Sequence, residues 1–571
     1  MSRIPWLAVA ALVICTAAAP VAATGITAPP AAAPPTATTA TPTATTATPT
    51  GAPSPQNPSI TAVHPNPVAD GDRGEFVVVD VPPGIPLGAY RLTDGDGTLS
   101  PSNRTASGRI ALSPDPKAAR NLTDRRVVAT NGSIALANGG ERLRLVRGNE
   151  TVATARYREA PEGEVGRYDD RGAITWEPLG ATDRPVVSAR GGTARAFVLP
   201  DAPAVAVEAI RDAEQRVLLA GYTFASRRVA TALVRAAERG VAVHVLLEGD
   251  PVDGISRRQA RILDSLAAAN VTVELLGGPH GRYAFHHAKY AVVDDRAVVL
   301  TENWKPSGTG GHSSRGWGAV VSQSRIVSGL VETFEADADW HGARPWRMVR
   351  QGRTFRRTTA ANGSYPSEFD PEPVPVNRTA LLVTPDNAGR AVVAALDNAT
   401  ESIDVIQMSI DGPDQRFLRA TVRAARRGVG VRVLLSSAWY VEEENRRLVE
   451  RLRERSESED LPLEAKLVDP GGAFEKIHAK GVVVDGDEVI LGSLNWNGES
   501  IRENREVLLR LEGERVGRYY GEVFAADWSD GSDSSRQLPV GIAAAVLGCV
   551  VLAVLVARRI DFGENVGVGP D

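Results

Sequence analysis

His286 to Trp304 reads HHAKYAVVDDRAVVLTENW, and Ile477 to Asn497 reads IHAKGVVVDGDEVILGSLNWN. The two stretches align at an offset of 191 residues. Each contains H-x-K-x-x-x-x-D: His287, Lys289 and Asp294 in the first, His478, Lys480 and Asp485 in the second. A His and a Lys two residues apart share one face of an extended strand. The apolar residues that follow continue the strand, and Asp294-Asp295 and Asp485-Gly486 supply turn chemistry. A second strand then ends near Asn303-Trp304 or Asn495-Trp496. Each copy is expected to be a β-hairpin with a His/Lys pair on one strand and an Asn near the end of the next.

Working outward, a second match supports the repeat. Val234 to Leu247 reads VRAAERGVAVHVLL and Val422 to Leu435 reads VRAARRGVGVRVLL, identical at 11 of 14 positions at an offset of 188. Each is a helix end, a glycine stop and a buried apolar strand. From about Arg195 onward, strands and helices alternate. The expected fold class is therefore α/β, a duplicated domain of two lobes.

A lone His near a Lys is more often structural than catalytic. Its recurrence inside a repeated fold reverses that, because a pseudo-twofold axis brings two imidazoles and two ammonium groups into one pocket. Such a pocket suits a phosphodiester. Lysines neutralise the charge that builds on the non-bridging oxygens. One imidazole attacks phosphorus, and the other moves the proton of the leaving and incoming groups. No cluster with metal-ligand spacing accompanies the pair, so neither a metal nor another cofactor is expected.

The paired motifs, with GSLNW at Gly492 to Trp496, resemble the phospholipase D superfamily over roughly Arg195 to Trp528. The resemblance implies a two-lobed α/β fold and a phosphohistidine intermediate. Carried over position by position, it implies that His287, Lys289, His478 and Lys480 are catalytic. It also implies that Asn303, Ser493 and Asn495 contact phosphate. Asp294 and Asp485 are expected to hold the hairpins. The second copy also has Glu506 in ENREV, where members of the family orient a histidine with a carboxylate. The matching stretch of the first copy, Arg315 to Val321, reads RGWGAVV. His287 is thus expected to lack an orienting carboxylate. Family habit favours His287 as nucleophile and the better-furnished second copy favours His478; both remain open. Residues 305–316, KPSGTGGHSSRG, are expected to form a mobile loop at the mouth of the site, with a lid as one reading.

The remainder of the chain divides by composition. Residues 1–23 read as a signal peptide, with Arg3, an apolar stretch and Val21-Ala22-Ala23 as a cleavage site. Residues 24–58 are an Ala/Thr/Pro-rich linker. Residues 59–157 carry short β runs between Gly, Pro, Asp and Asn clusters. HPNP from His64, then Glu75-Phe76-Val77 and Tyr90 to Asp94, resemble the lamin-tail domain, which implies an immunoglobulin-like sandwich. The two lobes are placed at 195–345 and 375–530. Leu538 to Ala557 has no charged residue, and at about 1.5 Å per residue it matches a bilayer core. Arg558 and Arg559 follow, so a cytoplasmic tail at 558–571 and an outside location for the rest are expected. Cys15 and Cys549 are the only cysteines, and both fall in these terminal segments. Eight N-x-S/T sequons, beginning at Asn103, Asn121, Asn131, Asn149, Asn270, Asn362, Asn377 and Asn398, fit a surface glycoprotein.

The 571 residues carry a net charge of −5, which gives no general pull toward nucleic acid. Of 64 basic residues only six are lysines, and two of those are Lys289 and Lys480. The expected partner is a phosphodiester substrate. Phospholipid is favoured over nucleic acid because the motif lies near the expected membrane helix, and no obligate protein partner is evident. A nuclease is the second reading. A non-catalytic surface binding protein is the third, weakened by the intact His and Lys of both copies.

Overall fold

The computed structural model describes residues 57–529, except 68–70, 103–104, 121, 124, 278–281 and 341. Within them the repeat predicted from sequence forms two similar sheets. In the first lobe three parallel strands, Arg216–Gly221, Ala242–Glu248 and Thr272–Leu276, lie beside the antiparallel run Tyr290–Val293, Arg296–Leu300 and Ser314–Val321. The second lobe repeats this with Ser402–Gln407, Gly430–Leu435 and Leu463–Leu467 beside Lys480–Val484, Glu488–Gly492 and Val507–Glu512. Crossover helices cover the parallel strands. They begin at good N-caps in the first lobe, where the Ser226 side chain accepts from Val229 N and that of Ser256 from Gln259 N.

Three apolar cores hold the pair together. Each lobe has an outer core under its crossover helices. A third is shared: Tyr290, Trp317 and Phe334 of the first lobe pack with Ile406, Val507, Tyr520 and Phe524 of the second. The helices Ser324–Ala338 and Glu514–Ser529 contribute to this middle layer. The close approach needs a glycine. A Cβ at Gly481 would sit 2.3 Å from the Trp317 ring.

The lobes also exchange backbone. Lys476–Ile477 runs parallel to Ser314–Arg315, and His286 bridges to Arg505. His287 N donates to Arg505 O, and His478 N donates to Arg315 O. The two arginines at these crossings are fully buried, and each is held by two aspartates. Arg505 bonds Asp337 and Asp386; Arg315 bonds Asp201 and Asp527. These triads fix the arms that carry the histidines.

Residues 59–157 are β apart from a short helix at Pro116–Ala119 and a 3-10 turn at Leu87–Ala89, and the sheet continues through Glu164–Tyr168 and Ile174–Pro178. Its strands share a core that includes Val63, Val79, Leu92, Leu112 and Leu145.

The membrane expectation needs correction. Among the described residues no helix is long and apolar enough to cross a membrane. Residues 538–557, on which a cell-membrane location rested, lie outside the described residues, as do the signal peptide, nearly all of the linker and the tail. The single-pass placement is withdrawn.

Candidate active site

Each H-x-K run leads into the hairpin ladder, which begins at Tyr290, just after Lys289, in one lobe and at Lys480 in the other. Its register comes from the motif aspartates. Asp294 and Asp485 both adopt positive φ in the hairpin turns. Asp294 accepts from the amides of Glu214, Gln215 and Arg216, and Asp485 from those of Thr400, Glu401 and Ser402. They tie each hairpin to the start of the neighbouring strand, away from the His/Lys centre.

His287 does not lack a carboxylate. Its Nδ1 lies 2.9 Å from both Oε1 and Oε2 of Glu506, a residue of the opposite lobe. His478 is served in the same crossed manner by the first lobe: its Nδ1 is 3.3 Å from Glu302 Oε2. Glu302 is not evident from sequence, because the copies differ by one residue between the motif aspartate and the Asn, and sequence alone does not place that difference. The ladder puts it in the turn, since Val293 pairs Arg296 but Val484 pairs Glu488. Thr301 then corresponds to Ser493, Glu302 to Leu494 and Gly316 to Glu506. The first lobe has lost the carboxylate from its last strand and regained it from the segment beside. Gly316 is required there, because a Cβ would lie 2.2 Å from Glu302 Cγ.

The lysines meet the same centre. Lys289 is fully buried and donates to His287 O at 2.5 Å; Lys480 donates to His478 O at 2.8 Å and lies 3.3 Å from His478 Nδ1. Tyr222 sets its ring edge-on to His287, with centroids 4.7 Å apart, and lies 5.4 Å from Lys289 Nζ. Lys305 is a third lysine at this centre, and its charge is felt by both histidine–lysine pairs. Lys476, two residues before His478, lies over the Tyr440 ring. Four of the chain's six lysines therefore gather here. Their scarcity was the signal that could have found the last two.

Burial dominates the protonation states. It drives His287 down to about 4 and His478 to about 3, against the opposing pull of Glu506 and Glu302. Burial also lowers Lys289 well below its ordinary value and Lys480 to about 8. Burial alone would raise the carboxylates, but His287 and Lys289 hold Glu506 low, as His478 and Lys480 do Glu302. Near neutral pH the site thus holds neutral imidazoles beside ionised carboxylates. Because only carboxylate oxygens face His287 Nδ1, that nitrogen carries the hydrogen and Nε2 keeps its lone pair.

Two expected phosphate contacts fit an open role and one does not. Asn303 Oδ1 and Asn495 Oδ1 are buried without a hydrogen-bond partner in the protein, and as acceptors they cannot bond a phosphate oxygen, so that contact falls to the Nδ2 amides. Ser493 is fully buried, and its hydroxyl accepts from Val507 N at 3.0 Å, as Thr301 Oγ1 accepts from Trp317 N at 2.9 Å. That hydroxyl braces the strand carrying Glu506 and does not face open space. The expected mobile lid at 305–316 is also corrected. Thr309 N donates to Asn303 O, Ser314 N to Ser307 O, and the Ser313 hydroxyl to Glu475. Its glycines allow it to fold tightly over Glu302; a Cβ at Gly308 would meet Glu302 Oε2 at 2.5 Å.

The family profile described as cardiolipin synthase, PLD-like domain, matches residues 206–340 and again 392–528. The chain belongs to the phospholipase D superfamily, and is an enzyme of its phosphodiester hydrolase and transferase type. None of the curated proteins compared with the sequence matches it. Among solved structures it is similar to phosphatidylserine synthase from Haemophilus influenzae, at 14% identity over 63% of this chain and 94% of that one, with a TM-score of 0.45. It is similar to the phospholipase D family member Nuc from Salmonella typhimurium, at 17% identity over 27% of this chain and 97% of that one, TM-score 0.24. Polyphosphate kinase from Porphyromonas gingivalis follows at 13% identity, covering 59% of this chain and 50% of that one, TM-score 0.40. Identities this low transfer no substrate.

Proposed function

We propose that this protein cleaves or exchanges phosphodiesters through a phosphohistidine, with His287 as nucleophile. The observation that carries the reading is the crossed arrangement of two buried imidazoles, each beside a carboxylate of the opposite lobe and each with a buried lysine against it. His287 Nε2 attacks phosphorus and forms a P–N bond as the P–O bond to the leaving group breaks. His478, neutral in the empty site, takes up a proton as the phosphate anion binds beside it and gives that proton to the leaving oxygen. It then takes a proton from the incoming water or alcohol, whose attack breaks the P–N bond. Lys289, Lys480 and the amides of Asn303 and Asn495 hold the non-bridging oxygens. Bidentate Glu506 orients His287 more firmly than Glu302 orients His478, whose Nδ1 also meets Lys480. That difference favours His287 as the fixed nucleophile and His478 as the proton carrier.

For the substrate, phospholipid remains our first reading, supported by the rim of the site. Val252 and Trp439-Tyr440 are exposed apolar residues in corresponding loops, after Ala242–Glu248 and Gly430–Leu435. Exposed aromatic and aliphatic tips suit the edge of a lipid layer. The second reading, a nuclease, draws on the six arginines that line a groove between the helices Arg227–Glu238 and Arg257–Ala268. We further propose that the all-β region is a lamin-tail-like sandwich serving as spacer or binding module. All six sequon asparagines that are described are exposed, which supports glycosylation as a proposal. The test offers the purified full chain bis(p-nitrophenyl) phosphate, labelled phosphatidylcholine and labelled single-stranded DNA. Turnover of none of them, or full activity in His478→Ala, would refute the catalytic reading.

A further inference from the structure

The two halves of the candidate active site differ beside their lysines. The strand Ser402–Gln407 ends with Gln407 directly opposite Lys480. Opposed residues of an antiparallel pair share a face, with Cβ atoms about 4.5–5.5 Å apart. Gln407 is 1% exposed, and neither its Oε1 nor its Nε2 has a hydrogen-bond partner in the protein. An amide buried in this way is costly unless a group that enters the site pairs with it. The first lobe has no such amide. Ala220 pairs with Tyr290 as Ile406 does with Gly481, so Gly221 holds the place of Gln407. Trp304 fills that place: a Cβ at Gly221 would lie 2.6 Å from its Cδ1, and its Nε1 donates to Ala220 O. Trp496, the counterpart of Trp304, packs on Phe417 with ring centroids 5.4 Å apart.

Further unpaired acceptors lie along the same strand end. Asn445 Nδ2 donates to Met408 O, next to Gln407, and to Ser436 O, next to Leu435, the other ladder neighbour of Gln407. Those two bonds fix the Asn445 amide and leave its Oδ1 buried and unpaired. Asn495 Oδ1 is unpaired as well, and the adjacent Trp496 bridges to Ile410, just beyond Gln407. Among these buried, unpaired atoms three are acceptor oxygens and one, Gln407 Nε2, is a donor. A phosphate oxygen satisfies only the donor. Whatever satisfies the acceptors must bring hydrogens.

The direction of attack narrows the choice. His287 approaches phosphorus from the first lobe, so the oxygens that leave and enter in line do so on the side of His478 and Gln407. We propose that Gln407 is a specificity-determining residue of the second step, holding the water that hydrolyses the phosphohistidine. The water oxygen attacks phosphorus as the P–N bond breaks and its electron pair returns to His287 Nε2. One water hydrogen passes to His478 as a proton, and Gln407 Oε1 holds the other. A simple alcohol has one hydroxyl hydrogen, which His478 takes, so it leaves Oε1 unpaired in a buried site. Gln407 therefore favours hydrolysis over transfer. The inference rests on the phosphohistidine reading above and decides between its two outcomes.

The test follows both fates of one intermediate. The full chain is given bis(p-nitrophenyl) phosphate in buffer containing ethanol. ³¹P NMR separates p-nitrophenyl phosphate, formed by water, from ethyl p-nitrophenyl phosphate, formed by transfer. Gln407→Met keeps the bulk and removes both polar atoms. Its ratio of transfer to hydrolysis should rise about tenfold over the parent, the scale set by one unpaired buried acceptor. Gln407→Glu keeps an acceptor oxygen, and its ratio should stay near that of the parent. A Gln407 that only supports the fold would slow both fates alike and leave the ratio where it was. An unmoved ratio in Gln407→Met would therefore overturn the proposal, and so would an equal rise in Gln407→Glu. If Gln407→Met does not fold, Gln407→Asn, whose amide is drawn back by one methylene, must show the rise in its place. A parent that releases no p-nitrophenolate sinks the phosphodiesterase reading itself. A parent that turns over, with a ratio these changes do not move, sinks only the role of Gln407.

Discussion

Moving the first-lobe carboxylate back to its last strand gives the sharpest test of the crossed site. Glu302→Ala removes the carboxylate 3.3 Å from His478 Nδ1 and leaves a buried imidazole without its counter-charge. A close charge pair contributes about 1.5–3 kcal/mol at the lower end of its range. At about 1.4 kcal/mol per decade, kcat/KM for bis(p-nitrophenyl) phosphate should fall roughly 10- to 150-fold. The decrease should appear in kcat, because Glu302 acts through His478 and does not itself bind substrate. Gly316→Glu alone should be destabilising, since its Cβ would lie 2.2 Å from Glu302 Cγ. Combined, Glu302→Ala/Gly316→Glu reproduces the arrangement of the second lobe, where Glu506 stands in the position matching Gly316. The combined variant should regain about tenfold or more over Glu302→Ala. A folded double variant, matched to the parent by circular dichroism and melting, that shows no recovery would refute the register and the positioning role together. So would an undiminished kcat in Glu302→Ala.

Other outcomes follow from the same geometry. A ³²P-labelled phosphodiester should leave a trapped acid-labile adduct on His287 in His478→Asn; label on His478 in the reciprocal His287→Asn variant would reverse the assigned roles. Because His287 must have lost a proton it holds below about 4, His478 must carry one it loses near 3, and Lys480 loses its own near 8, kcat/KM should be highest between about pH 3 and 4 and fall more steeply above about pH 8. A rate still climbing at pH 9.5 would exclude Lys480 as a charged phosphate contact. Arg505→Ala leaves Asp337 and Asp386 buried without their cation and should cost about 3–5 kcal/mol in urea unfolding, more than Arg505→Met. Equal stabilities for the two variants would place the worth of Arg505 in its charge and not in packing.

Much of the fold was legible because duplication writes the same period twice. The Gly-stopped helix and apolar strand at Val234 to Leu247 and Val422 to Leu435 sit where the sequence puts them. The motif histidines and lysines also meet, because identical hairpins on a pseudo-twofold have little freedom to do otherwise. What stayed hidden were contacts between lobes. Nothing local to Glu506 says that it serves a histidine 219 positions away, and nothing in RGWGAVV says that Glu302 fills the space its glycine leaves. Ser493 was misread for a related reason: the motif shows a hydroxyl near an Asn, while only the ladder shows that Val507 N has already taken it. The terminal reading failed differently. An apolar stretch can be recognised from composition, but a cellular address drawn from it had no support from the helices described.

The crossing of the two carboxylates also bears on how such a site can diverge. In a symmetric dimer of one repeat, any change at the position of Glu506 alters both halves at once, and losing that carboxylate strips both histidines together. Once two repeats share a chain, one half can surrender its acid while a neighbouring residue takes over, as Gly316 and Glu302 do here. The asymmetry is therefore open only to a fused protein, and the exchange marks a path along which nucleophile and proton carrier could become separate offices.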